Sequence, residues 1–142
     1  MSDDYLKPAG KFVRVFPGRF HEAPALLKFR GCYFLFVSDC TCWSPNPARL
    51  LAADSIFGNW EELGNPCLGP GAQITNTFNS QSKFILPVQG KRDAFIFLAD
   101  RWNPQNAIDG RYVWLPIEFR HGVPMMAWHE EWDLSFFHKA NR

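Results

Sequence analysis

Two stretches of this 142-residue chain repeat each other at a fixed offset. The first runs from His21-Glu22-Ala23-Pro24-Ala25-Leu26-Leu27 to Trp43-Ser44-Pro45-Asn46, the second from Ser80-Gln81-Ser82-Lys83-Phe84-Ile85-Leu86 to Trp102-Asn103-Pro104-Gln105-Asn106. Glu22 precedes Trp43 by 21 residues and Gln81 precedes Trp102 by 21, so the copies are offset by 59. A period of that size, filled with short apolar strands, is the signature of a propeller blade. One polar residue, Glu22 or Gln81, stands at the matching point of each copy, as a site around a central channel requires.

Apolar runs and turn residues divide each copy into four strands. In the first they fall at 25–29, 32–37, 49–53 and 60–63, and in the second at 83–88, 94–99, 111–119 and 124–129. Antiparallel strands joined by hairpins make one blade. The runs 32–37 and 94–99 do not alternate with polar residues, so both of their faces are buried, as in strands sandwiched between blades. Residues 5–20 are expected to hold one or two further strands, with 12–16 (Phe-Val-Arg-Val-Phe) alternating clearly, and the tail 132–137 reads as a closing strand. The expected fold is all-β, a partial β-propeller of about two four-stranded antiparallel blades plus flanking strands. It forms one domain, with flanking strands over 1–20, a first blade over 21–79 and a second over 80–137. A propeller closes with about four to eight blades. Two blades therefore imply a fragment, a half completed by another copy or by complementing blades, or an open sandwich. Unpaired blade edges favour self-association.

Composition removes several alternatives. Hydrophobic residues make up 46% of the chain, with 14 Phe and 6 Trp, enough to build a core. Net charge is +1 and no basic run exceeds two residues, so a nucleic-acid partner is not expected. No apolar stretch approaches the roughly 18 residues of a membrane span. The segment Met1-Ser2-Asp3-Asp4-Tyr5 is acidic and lacks the apolar run of a signal peptide. That leaves a cytoplasmic protein or a lost leader. The four cysteines, Cys32, Cys40, Cys42 and Cys67, lack paired zinc-site spacing and read as buried or half-buried thiols.

Glu22-Ala23-Pro24-Ala25, Tyr33-Phe34-Leu35-Phe36-Val37-Ser38, and Thr41 and Trp43 with Pro45-Asn46 together resemble the later blades of family 43 glycoside hydrolases. So do Ala53-Asp54-Ser55-Ile56-Phe57-Gly58 with Trp60, Gly64-Asn65-Pro66-Cys67, Ser80-Gln81-Ser82 and Ala99-Asp100-Arg101-Trp102-Asn103-Pro104. The branch most resembled acts on galactans and β-galactosides and includes exo-acting β-1,3-galactanases. The resemblance covers nearly the whole chain but only the C-terminal half of the family's five-bladed module. It implies inverting hydrolysis with Glu22 as general acid and Gln81 beside the reacting water. The usual Asp base and the carboxylate that tunes the acid would lie in earlier blades. The family is usually secreted or periplasmic. A calcium ion in the channel is allowed by analogy alone, so no cofactor is expected from these residues. Three positions depart from the family pattern: Cys42 replaces the usual Gly, His21 a common Arg, and Lys83 a small hydroxyl residue.

Each candidate also has a plainer reading. Inverting hydrolysis needs an acid for the leaving oxygen and a base for water, roughly 6.5–9.5 Å apart. Outside the repeat, a Glu before an apolar strand is commonly a solvated strand end. Gln81 cannot be a base in its ordinary amide form, and its bland role is a hydrogen bond at a blade's inner end. Trp43 and Trp102 either stack on sugar faces or pack between blades. Thr41 and Asn46 either bind sugar hydroxyls or satisfy their turn. Asp39, Asp54 and Asp100 are further candidate carboxylates, of which Asp54 and Asp100 read as turn caps or ion-pair partners. The run His129-Glu130-Glu131-Trp132-Asp133 reads as a solvated edge, because alternate strand residues face opposite ways.

Overall fold

The computed structural model describes residues 2–139 except 9, 11 and 17. The first repeat folds as expected into a four-stranded antiparallel sheet in the order β1 (His21–Phe29), β2 (Cys32–Asp39), β3 (Arg49–Ala53) and β4 (Glu61–Gly64). The β1–β2 turn is only Arg30-Gly31, and both residues take positive φ, at 48° and 88°. Such a two-residue turn matches the right-handed twist of the strands it joins.

A short strand, β5 (Cys67–Leu68), and a one-turn helix, α1 (Gly71–Thr75), lead to the second repeat. There β6 (Gln81–Pro87), β7 (Phe95–Arg101) and β8 (Arg111–Pro116) form a three-stranded antiparallel sheet. The expected single strand over 111–119 is divided at Ile117, beyond which β9 (Glu118–Arg120) continues. Ile117 still donates its N–H to the Phe95 carbonyl at 2.9 Å, so the interruption is local. The expected fourth strand of the second blade forms as β10 (Val123–Ala127) but does not join that sheet, which stays three-stranded: β10 pairs antiparallel with β9 and parallel with β5. It therefore ties the second repeat back to the first.

Two terminal expectations are corrected. Residues 12–16 form no strand, and Phe12 is 84% exposed, so alternation there had no partner strand to pair with. The tail ends in a short helix, α2 (Phe136–Lys139), rather than a closing strand. Its Phe137, with Trp132 and Phe136 beside it, packs on Ala94 and Ile96 of the second sheet. An aromatic-rich tail can bury its rings by capping a sheet face without extending the ladder. No helix among the described residues is long and apolar enough to cross a membrane.

The main core lies between the two sheets. Leu27, Phe34, Phe36 and Leu50 from the first meet Ile85, Phe97, Val113 and Leu115 from the second, with Met126 of β10 beneath. The core-facing side of each long apolar run is buried as expected, but on the other side Tyr33, Leu35 and Leu98 are only half-buried. The opposite face of the second sheet leaves Phe84, Tyr112 and Trp114 exposed, so the propeller is not closed.

Candidate functional site

The inner strands β1 and β6 lie side by side, and each is irregular just past its candidate residue. In β1 the register shifts between Glu22 and Ala25, and in β6 between Ser82 and Phe84. Such bulges bend a strand and re-aim the side chains beside them. Ala23, within the first, is held at φ 52°, in the left-handed region that a side chain disfavours. The Ser82 hydroxyl donates to the Ala23 carbonyl at 2.5 Å and pins one bulge to the other. Glu22 and Gln81 consequently meet. The Gln81 amide lies 3.5 Å from Glu22 Oε1 and donates a good hydrogen bond, at 2.9 Å, to the Cys42 carbonyl.

A cleft of about 350 Å³ opens above this pair. Its wall carries Glu22, Trp43, Gln81, Lys83, Asp100 and Trp102. The rings of Trp43 and Trp102 sit 5.4 Å apart at 40°, and the residues are 56% and 37% exposed, so neither is consumed by packing between sheets. The Lys83 ammonium is 3.2 Å from Asp100 Oδ2 and 6.0 Å from the Trp43 ring centre. Asp100 is an ion-pair partner, as expected, but one that faces the cleft.

Thr41 and Asn46 do not line the cleft. They brace the loop that carries Trp43. The Asn46 side chain accepts from the Asp39 N–H at 3.0 Å and donates to the Asp39 carbonyl at 2.9 Å and to the Thr41 hydroxyl. Thr41 in turn donates to the Ser44 carbonyl at 2.6 Å. Asn46 is 8% exposed, and its amide is spent on the loop. His21 turns away from Glu22, with its Nδ1 3.6 Å from Asp39 Oδ1. Bidentate pairing with Arg49 holds the Asp39 carboxyl below its ordinary range, and the charges of Arg49, His21 and Arg19 add to the effect while burial opposes it.

Cys42 adopts φ 54°, a conformation natural to glycine. Its carbonyl is thereby presented to Gln81, a contact the sequence did not reveal. The glycine usual at this position in the family pattern was the available signal. Cys40 and Cys42 are exposed rather than buried, because they sit on the loop beyond β2, while Cys67 is buried. Among the described residues, no three or more His, Cys, Asp or Glu side chains gather as a metal site.

No protein-family model and no curated protein matches the chain. Solved structures do. A family 43 β-1,3-galactosidase bound to galactodeoxynojirimycin is 46% identical, with a TM-score of 0.87 over 94% of this chain. A second family 43 β-1,3-galactosidase is 38% identical, with a TM-score of 0.91 over 99%. An exo-β-1,3-galactanase variant from Phanerochaete chrysosporium, bound to β-1,3-galactotriose, is 34% identical with a TM-score of 0.66 over 75%. The chain spans 38%, 29% and 23% of those proteins' lengths respectively. It belongs to glycoside hydrolase family 43 and matches part of that family's propeller domain. Within the family it is homologous to the β-1,3-galactosidases and exo-β-1,3-galactanases.

Proposed function

We propose that this chain carries the acid-bearing part of an inverting hydrolase of β-galactosides or β-1,3-galactan. Glu22 is the general acid that protonates the departing glycosidic oxygen. Gln81, whose amide reaches both Glu22 and the Trp43 loop, positions water or a sugar hydroxyl. Trp43 and Trp102 offer the apolar faces on which a galactose ring stacks. Thr41 and Asn46 contribute by holding that loop. The observation that carries the reading is the meeting of Glu22 and Gln81 at the floor of a tryptophan-walled cleft, in a chain homologous to galactosidases. Residues 21–79 and 80–137 are read as two blades of the larger module.

A second reading is a carbohydrate-binding or structural remnant without catalysis. It is favoured by the engagement of Asp100, the cleft's other carboxylate, in an ion pair with Lys83. In the first reading, by contrast, hydrolysis depends on complementing blades, from another copy or another chain, over the exposed Phe84–Trp114 face. Sedimentation velocity tests this directly, and a chain that stays monomeric at high concentration excludes self-completion.

Galactose release from β-1,3-galactan by the purified chain, alone and with the Glu22→Gln variant, separates the readings. Release that vanishes in the variant supports Glu22 as the acid. Release that survives the substitution removes Glu22 from that role, and sugar binding without release supports the remnant.

A further inference from the structure

Lys83 sits in the β6 irregularity, where the register passes from Ser82 to Phe84 and leaves it without a cross-strand partner. The bulge releases its side chain from the ladder, and the ammonium comes to lie beside Asp100 and over Trp43, on the wall that also carries Glu22. An ion pair this exposed, with side chains 52% and 33% accessible, adds little to folding stability. Its chemistry suits a ligand better. An ammonium has three donors, of which Asp100 engages one, and a carboxylate accepts several hydrogen bonds. Side by side, the two groups present donor and acceptor at the spacing of neighbouring hydroxyls, and hydrogen bonds to ionised groups are stronger than neutral ones.

We propose that Lys83 and Asp100 act as one donor–acceptor pair that reads two adjacent hydroxyls of a sugar seated against Trp43 and Trp102, and that they restrict the cleft to uncharged sugars. This rests on reading the cleft as a galactoside site and adds to it two specificity residues and a limit on substrate. The restriction follows from the charges on the wall. Lys83 is compensated by Asp100, and neither the Glu22 carboxyl nor the Cys42 thiol on the same wall supplies a positive charge in any protonation state. A uronic acid brought here meets two carboxyl groups and no uncompensated cation. A neutral hexose meets hydrogen-bonding groups and aromatic faces.

The test is titration of the full chain with methyl β-galactopyranoside and with the corresponding methyl galacturonoside, read by protein NMR. Lys83→Met is expected to weaken galactoside binding about tenfold, the loss of one charge-assisted hydrogen bond. Asp100→Asn is expected to weaken the galactoside and strengthen the galacturonoside, because it leaves Lys83 uncompensated. A purely structural role would lower both affinities in proportion and leave their ratio fixed. An unchanged ratio in Asp100→Asn, or unchanged galactoside affinity in Lys83→Met, overturns this inference alone. If the parent chain binds neither sugar, the inference and the galactoside reading fall together.

Discussion

Replacing Gln81 with Leu removes the strut between the inner strand and the tryptophan loop while nearly preserving side-chain volume. The parent amide makes one hydrogen bond of full quality, at 2.9 Å to the Cys42 carbonyl. Its contacts to Glu22 Oε1 and the Ser44 carbonyl, both at 3.5 Å, lie at the edge of hydrogen-bonding range and are counted as negligible. Loss of one neutral bond costs about 1 kcal/mol. Cys42 is exposed, so water replaces part of the lost interaction, and the buried leucine offsets a little more. The expected destabilisation is therefore about 0.5–1.5 kcal/mol, or a Tm lower by roughly 2–5 °C for a domain of this size. Urea denaturation gives the first figure and calorimetry the second. Amide exchange over residues 40–45 should quicken with no matching change in β2, and galactoside affinity should fall as Trp43 loses its fixed position. Unchanged stability together with unchanged exchange in that loop would refute the claim that Gln81 anchors it.

Three further outcomes follow from the same geometry. Asp39 is depressed in the fold by Arg49, so its stabilisation is present above its unfolded pKa of about 3.9 and is lost as pH falls through the folded value. An acid denaturation series should show Asp39→Asn less stable than the parent at neutral pH, with the difference closing below about pH 4, whereas a constant gap would contradict the pairing. Burial pushes the Cys67 thiol up to about 12, so at neutral pH a thiol reagent should label the exposed Cys40 and Cys42 quickly and Cys67 only on unfolding. Above about pH 9 the unfolded thiol ionises while the folded one does not, so this site lowers stability as pH rises toward about 12. Cys42→Gly should relieve left-handed strain worth about 1–2 kcal/mol and lose about 0.5–1 kcal/mol as chain entropy, a net gain of about 0–1.5 kcal/mol in urea denaturation; a loss would mean the thiol makes a contact worth more than the strain.

The second strand of each sheet and the core were legible because burial on both faces leaves an unbroken apolar run, as at Phe36–Val37 and Ile96–Phe97. The meeting of Glu22 with Gln81 followed from the repeat, but the matching 21-residue intervals conceal compensating changes. Glu22 pairs with Ser38, 16 residues on, and Gln81 with Asp100, 19 on, because the second hairpin loop is longer and the tryptophan loop shorter. Spacing alone therefore could not align β2 with β7. The division at Ile117 and the parallel pairing of β10 with β5 depend on contacts distant in sequence, which periodicity does not encode. Alternation at 12–16 misled because a strand pattern has no meaning without a partner edge. The roles of Asn46 and Thr41 were open in sequence, since a loop amide serves sugar or turn equally well, and only the hydrogen bonds assign them to the turn. Lys83 and Asp100 were visible as an unusual residue and an ion-pair candidate, but the bulge that turns them toward Trp43 was not.

The central claim is that the Glu22–Gln81 cleft receives a galactose ring. A crystal structure of the chain soaked with β-1,3-galactobiose tests it most directly. The account predicts a sugar ring against Trp43, a glycosidic oxygen within hydrogen-bonding reach of Glu22, and a hydroxyl or water on the Gln81 amide. An empty cleft at saturating disaccharide, or a sugar bound elsewhere on the chain, would contradict it.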